Sequence, residues 1–344
     1  MHKSVQEKLR ALLQGKVILV TGGTGTIGSE IVRQVLPYQP KIVRIFSRDE
    51  YKQSLLRYAF RERQDLRYLL GDIRDLDRLR RAMEGVHVVF HAAALKRVEA
   101  TEYDPLEAVK TNVLGTQNVI SATLENPLTE RVVAISTDKS VNVTSTMGAT
   151  KLLAERLVTW ASFYRREPHK MLCSVRFGNV LASRGSVIEI WKRQIEDGGP
   201  LTLTHAQMRR FFMSIPNAVS LVLRAGAFAT GGEIFILRMK AVMIQHLAEI
   251  LIEEYAPRVG RDPHTVAIQV VGAEPGEKLD EELLASNEID RTFMVDDEMA
   301  VIAPVHRSHE YALKKLKNFE GYVTSEHTLS KEQFRAYLKQ EGII

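Results

Sequence analysis

Four consecutive residues, Ser136-Thr137-Asp138-Lys139, bring hydroxyl, carboxyl and amine groups onto one turn. An adjacent acid and base can take one proton from a substrate while protonating a group that leaves it. A lysine serving as such a base must be neutral when it acts, so burial or a neighbouring cation must lower its pKa. An aspartate serving as such an acid must carry a proton when it acts, which needs a raised pKa. The competing reading is a surface ion pair closing a loop, a common and weak arrangement. Lys151 follows Met147 by four residues, which puts both on one helix face. A thioether cannot act as a base, so Met147 is read as packing and Lys151 as the ionisable member of the pair.

A second constellation is the loop Thr21-Gly22-Gly23-Thr24-Gly25-Thr26-Ile27-Gly28. Gly22 permits a tight turn, Gly25 lets backbone approach a pyrophosphate, and Gly28 lets a helix pack on a strand. The helix N-terminus then faces the phosphate charge, with Thr24, Thr26 and Ile27 completing the cradle. The loop follows an apolar strand and opens a helix, the context a dinucleotide site requires. Ser47-Arg48-Asp49 ends the second strand. A hydroxyl followed by a guanidinium suits a 2′-phosphate, so NADP is favoured over NAD, with Lys52 assisting. The alternative is that Asp49 binds the ribose hydroxyls of NAD. Asp72 and Ile73 are placed for the adenine edge. Ala92-Ala93-Ala94 permits close approach on the nicotinamide side, and Lys96 sets a cation just beyond.

These groups need strands to carry them. The runs 16–21, 41–46, 67–70, 86–91, 131–136 and 170–176 are apolar or β-branched and alternate with helical patterns, among them 105–124 and 148–164. That alternation predicts an α/β fold, a Rossmann-type doubly wound parallel sheet with sites beyond the strand carboxyl ends. The expected division is a helix over 1–15 and a cofactor domain over 16–178 with returning segments about 208–240. A smaller mixed α/β substrate-binding region takes 179–207 and 241–344.

The segments TGGTGTIGSEIVRQ, HAAALKRVEATEYDPLEAVKTNVLGTQNV, STDKSVNVTSTMGATKLLAE, VRFGNVLASRGSVI and EPGEKLDEEL occur in this order. Together they resemble the extended short-chain dehydrogenase/reductase superfamily, and within it the UDP-N-acetylglucosamine 4,6-dehydratases of bacterial polysaccharide and glycan biosynthesis. The resemblance implies oxidation at C4, elimination of water across C5–C6 and reduction at C6. It makes Asp138 the acid, Lys139 the base and Thr137 the holder of the C4 hydroxyl, with Lys151 on the nicotinamide ribose. Met147 stands where the superfamily places a tyrosine, which moves the first proton abstraction to Thr137, relayed to solvent or to Asp138. Three alternatives stay open: release of a 5,6-unsaturated sugar, a UDP-sugar 4-epimerase, and a non-catalytic NADP-binding sensor.

Substrate contacts implied by the same resemblance are Lys96, Asn179, Ser183, Arg184, Arg209, Arg210 and Glu277. Arg209 replaces a threonine of the family's pattern, and Glu274 an arginine. The resemblance also makes helices 105–124 and 148–164 a dimer surface, which implies a homo-oligomer.

The composition sets outer limits. Of 344 residues, 45% are hydrophobic and 26% charged, which excludes disorder and a coiled coil. One cysteine, Cys173, excludes an internal disulfide and a cysteine-based zinc site. No metal site is expected: His87 and His91 have no accompanying ligand pattern. The net charge of +5 suits a polyanionic small substrate, and no recognition motif for nucleic acid accompanies it. No run of about 18 apolar residues or leader pattern is visible, so no membrane span and a cytoplasmic setting are expected.

Overall fold

The computed structural model describes residues 4–344, except 165–166, 184, 274 and 319. Fourteen strands form among the described residues. The first six are β1 (Val17–Thr21), β2 (Ile42–Ser47), β3 (Leu66–Leu70), β4 (Val88–His91), β5 (Arg131–Ile135) and β6 (Met171–Arg176). All pair in parallel. β1 and β4 are buried at every position, as strands covered on both faces must be.

Then come β7 (Asn179–Val180), β8 (Leu201–Leu203), β9 (Arg209–Met213), β10 (Ile234–Leu237), β11 (Lys240–Met243), β12 (Ile268–Val270), β13 (Thr292–Met294) and β14 (Met299–Ile302). The large sheet has the order β13-β14-β10-β6-β5-β4-β1-β2-β3. Its strand order reverses between β1 and β4, which opens a crevice beyond their carboxyl ends.

Helices cover both faces. Ile31, Val32 and Val35 of helix Thr26–Val35 join Val219 and Val222 of helix Ile215–Phe228 in one core layer. Leu79, Val119, Ile120 and Val158, from helices Leu76–Met83, Gly115–Glu125 and Thr146–Tyr164, fill the other. A separate core, with Trp191, Leu247, Leu251 and Phe334, supports the smaller region. The expected helix over 105–124 forms but holds a π-helical turn, Val109–Leu114.

Two segments depart from the expected division. β13 and β14, assigned by the sequence to the substrate region, extend the large sheet, because buried β14 pairs antiparallel with β10 and covers its edge. β9, assigned to the returning part of the cofactor domain, instead joins β7 and β11 in a three-stranded sheet.

Candidate active site

Gly22 turns the chain after β1 with φ of +65°, the left-handed region glycine tolerates. A Cβ there would lie 2.7 Å from the Ala93 backbone nitrogen, so only glycine lets the loops after β1 and β4 meet. A Cβ on Gly28 would collide with the Gly22 carbonyl oxygen. Gly25 is the N-cap of helix Thr26–Val35 and brings no side chain to it, leaving the positive helix end facing the crevice. Beneath the loop, His91 lies 2.7 Å from Thr21 Oγ1 and 3.0 Å from Thr116 Oγ1. Burial and the nearby Lys151 push its pKa down to about 3, so His91 is a neutral pin between strand and helix.

At the far end of the crevice, Thr24 and Ser47 share a buried hydrogen bond of 2.7 Å. Asp49 caps helix Glu50–Ala59 by accepting from the Lys52 amide at 2.9 Å, and it pairs with the Lys52 ammonium. Arg48 is 56% exposed and stands 3.6 Å from Asp72. Burial pushes the Asp72 carboxyl up. Hydrogen bonds from Arg74, with the charges of Arg74 and Arg48, outweigh this and hold it below the usual carboxylate range. Ile73 is buried against Gly115, where a Cβ would strike its side chain.

Ala92 donates its amide to the Thr21 carbonyl, tying the alanine run to the glycine loop. The chain beyond is held by Asn112, a residue not anticipated from the sequence. Its side chain accepts from the Leu95 amide at 2.8 Å and donates to the Leu95 carbonyl at 3.0 Å. Asn112 lies in the π-helical turn, which no residue pattern announced. Lys96 is exposed just past this clamp.

The turn Ser136–Lys139 leaves the carboxyl end of β5. Thr137 Oγ1 donates to Asp138 Oδ1 at 2.8 Å, and Lys139 Nζ reaches the same oxygen at 3.1 Å. Asp138 is fully buried, and its Oδ2 has no hydrogen-bond partner among the described residues. Gly178 makes room for it: a Cβ there would come within 2.9 Å of Oδ2.

Lys139 differs from expectation. Burial lowers its pKa, but Asp138 and Glu281 outweigh burial and leave the value raised. The amine is therefore held as an ammonium, not poised as a neutral base. Glu281, 2% exposed, lies 3.4 Å from Lys139 Nζ. Nothing in its spacing singled it out, since the fold alone brings it beside the turn after β5.

Lys151 shifts in the opposite direction. Burial pushes its pKa down to about 8 against a weaker opposing pull from Glu155. It donates to the Ile135 carbonyl at the end of β5, one helical turn from the buried Met147.

The residues assigned to substrate are spread more widely. Asn179 pairs β7 with β9 opposite Phe212, and Ser183 follows in the next loop. Arg184 and Glu274 lie outside the described residues. Arg209 forms a two-pronged pair with Asp280 at 2.6 and 2.8 Å. Arg210 is buried, and its Nη1 donates to the carbonyls of Arg209 and Lys278. Both arginines thus stitch β9 to the loop 278–281. Glu277 is half-buried in the preceding turn.

Residues 18–303 match the family model described as polysaccharide biosynthesis protein. The chain belongs to this family. It is 48% identical to an uncharacterized membrane protein of Methanocaldococcus jannaschii, over 94% of the chain and 96% of that protein. It is 43% identical to the capsular polysaccharide biosynthesis protein CapD of Staphylococcus aureus, over 80% of the chain and 46% of CapD, so it spans about half of that relative. Identity is 40% to a UDP-glucose 4-epimerase of Rickettsia rickettsii, over 80% and 79% of the two chains. Among solved structures, Pen of Bacillus thuringiensis superposes with a TM-score of 0.89 at 40% identity, over 96% and 98% of the chains. Family members thus include proteins named for nucleotide-sugar chemistry, and the sheet is the Rossmann-like one they share. Among the described residues no helix is long and apolar enough to cross a membrane.

Proposed function

We propose that this chain is an NADP-dependent dehydratase converting UDP-N-acetylglucosamine to a UDP-4-keto-6-deoxyhexosamine. The observation that carries the reading is the single Asp138 oxygen shared by the Thr137 hydroxyl and the Lys139 amine, at 2.8 and 3.1 Å. An epimerase, which moves one hydride away and back, has no use for an acid beside an amine.

The crevice fits a dinucleotide. Gly22 and Gly28 leave no room for side chains where backbone must come close, and the helix after Gly25 offers its positive end. The helix-capping role of Asp49 and the exposed Arg48 support a 2′-phosphate there, with NAD as the alternative. Ser47, Arg48 and Lys52 would hold that end, Thr24 to Gly28 the pyrophosphate, and Lys151 with Ala92–Ala94 the nicotinamide riboside. Bound there, the nicotinamide supplies hydride uptake from C4 and hydride return to C6.

The protein's own groups move the protons. Thr137 holds the C4 hydroxyl and passes its proton to Asp138. This step does the work of the tyrosine replaced by Met147, and it loads Asp138 as an acid. The C4 ketone then acidifies the C5 proton, which Lys139 removes. Asp138 delivers its proton to the C6 oxygen, which leaves as water. Lys139 returns its proton to C5, and the net change is loss of one water. Each positioned acid or base contributes roughly 10²–10⁴-fold.

Incubation with UDP-N-acetylglucosamine and NADP tests this. The expected product is lighter by one water and shows a C6 methyl in its proton NMR spectrum. A 5,6-alkene places completion in a second enzyme. Unchanged mass with an inverted C4 establishes the epimerase reading, which the similarity to the Rickettsia protein favours. No turnover reduces the chain to a cofactor-binding sensor.

A further inference from the structure

The dehydratase reading needs a neutral Lys139, and the structure holds that amine as an ammonium between two carboxylates. The proton therefore needs a destination inside the site. Asp138 cannot supply it, because it must accept the proton from Thr137 first. The charged groups facing Lys139 are Asp138, Glu281 and Arg210. Those facing Glu281 are Lys139 at 3.4 Å, Lys278 at 3.4 Å and Arg210 at 3.9 Å. Glu281 Oε2 is buried and hydrogen-bonds to none of the described residues. The Lys278 ammonium gives its hydrogen bonds to the carbonyls of Val141 and Asn142, and Arg210 Nη1 gives its own to carbonyls as well. Glu281 is thus a nearly buried carboxylate with spare accepting capacity, next to the amine that must lose a proton. Its backbone is fixed by reciprocal bonds to Thr324, each of 3.0 Å, so its position does not depend on the ion pairs.

We propose that Glu281 is a positioning residue that readies the base: as substrate closes the site, one proton leaves Lys139 Nζ for Glu281 Oε1. One N–H bond breaks, one O–H bond forms, and a neutral amine faces C5. The pair begins as ammonium and carboxylate and ends as amine and carboxylic acid, with no change in total charge. Transfer of this kind is favoured when water is excluded, because separated charges lose their solvation there. The inference rests on the dehydratase reading, which supplies the demand for a neutral amine.

Two measurements on Glu281→Gln test it, with the backbone anchors to Thr324 retained. The first is the pH dependence of kcat for water loss. The wild type, carrying its own acceptor, should be flat through the neutral range. The variant must lose the proton to solvent, so its kcat should rise about tenfold per pH unit until the amine is neutral. A uniform fall at every pH, or an unchanged flat profile, overturns the proposal. The second needs no turnover: titration of Lys139 in protein carrying ¹⁵N-labelled lysine side chains. The wild-type amine should titrate above the ordinary lysine value and move down in Glu281→Gln, and an unmoved titration overturns the pairing. If the wild type releases no water from UDP-N-acetylglucosamine, the dehydratase reading falls, while the titration still judges the pairing. Glu281→Asp should restore part of the flat profile.

Discussion

Thr137 and Lys139 meet on one oxygen of Asp138, the hydroxyl donating at 2.8 Å and the ammonium at 3.1 Å. The carboxylate is fully buried, so its charge is balanced by these two neighbours rather than by water. A proton arriving through Thr137 weakens the hold on Lys139, because the oxygen that attracts the ammonium has been neutralised. In the proposed reading, oxidation at C4 and release of the base are thereby coupled through a single atom.

Replacing Thr137 with Val keeps the shape and removes the relay. The expected loss in kcat is roughly 10²–10⁴-fold, with Thr137→Ser largely restored. Lys139→Ala should abolish water loss and exchange of the C5 proton with deuterated solvent. Near-normal turnover in Lys139→Ala would sink the role assignment.

Arg48 carries the choice of cofactor in the proposed reading. Arg48→Ala should weaken NADP binding by about tenfold or more, the worth of a hydrogen bond to a charged group. NAD binding should change little. Isothermal titration with both dinucleotides decides it, and equal losses for the two would assign Arg48 a general role.

Lys151 should make function costly to stability. Its folded pKa is pushed down to about 8 from the ordinary 10.5, so the unfolded chain binds the extra proton between those values. The penalty is present in full below about pH 8, shrinks as pH rises, and is gone near 10.5. At about 1.4 kcal/mol per unit, less about 1 kcal/mol for the hydrogen bond to Ile135, Lys151→Met should stabilise the fold by about 2 kcal/mol at neutral pH. That gain should fade as pH approaches 10. Urea melts at several pH values test the sign. The same variant should lose dinucleotide affinity, whereas Met147→Leu, a volume-conserving change at a buried site, should keep kcat within about twofold.

Leu106, Leu114, Leu153, Trp160 and Tyr164 leave an apolar face exposed on the helical segments 105–125 and 146–164. A face of this kind marks an interaction surface, and a homo-oligomer is the expected use. Sedimentation should find an oligomer that dissociates in Leu106→Glu or Trp160→Glu, and a monomeric wild type would refute it.

What the sequence revealed was what neighbours in the chain decide. Gly28 acts on backbone a few residues away, and the adjacency of Asp138 and Lys139 puts a carboxyl and an amine on one turn. The sheet was legible because its strands are apolar and evenly spaced. What it hid depends on distant segments meeting. Burial alone argues for a lowered Lys139 value, but adjacent Asp138, joined by a carboxylate from residue 281, reverses the sign. Arg209 and Arg210 read as open cations until Asp280 and the Lys278 carbonyl come beside them. β13 and β14 were obscure because a short edge strand is defined by the strand it covers.

The bonds between Glu281 and Thr324 carry a consequence for how the protein comes into being. In the proposed reading the strands bounding the dinucleotide crevice are all present once β6 has formed, but the neighbour of Lys139 is held by Thr324, far later in the chain. During translation a half-made molecule would therefore hold a cofactor cradle before it holds a finished proton circuit. In the proposed reading, competence for elimination therefore depends on the docking of the segment that carries Thr324, a requirement that C4 oxidation does not share.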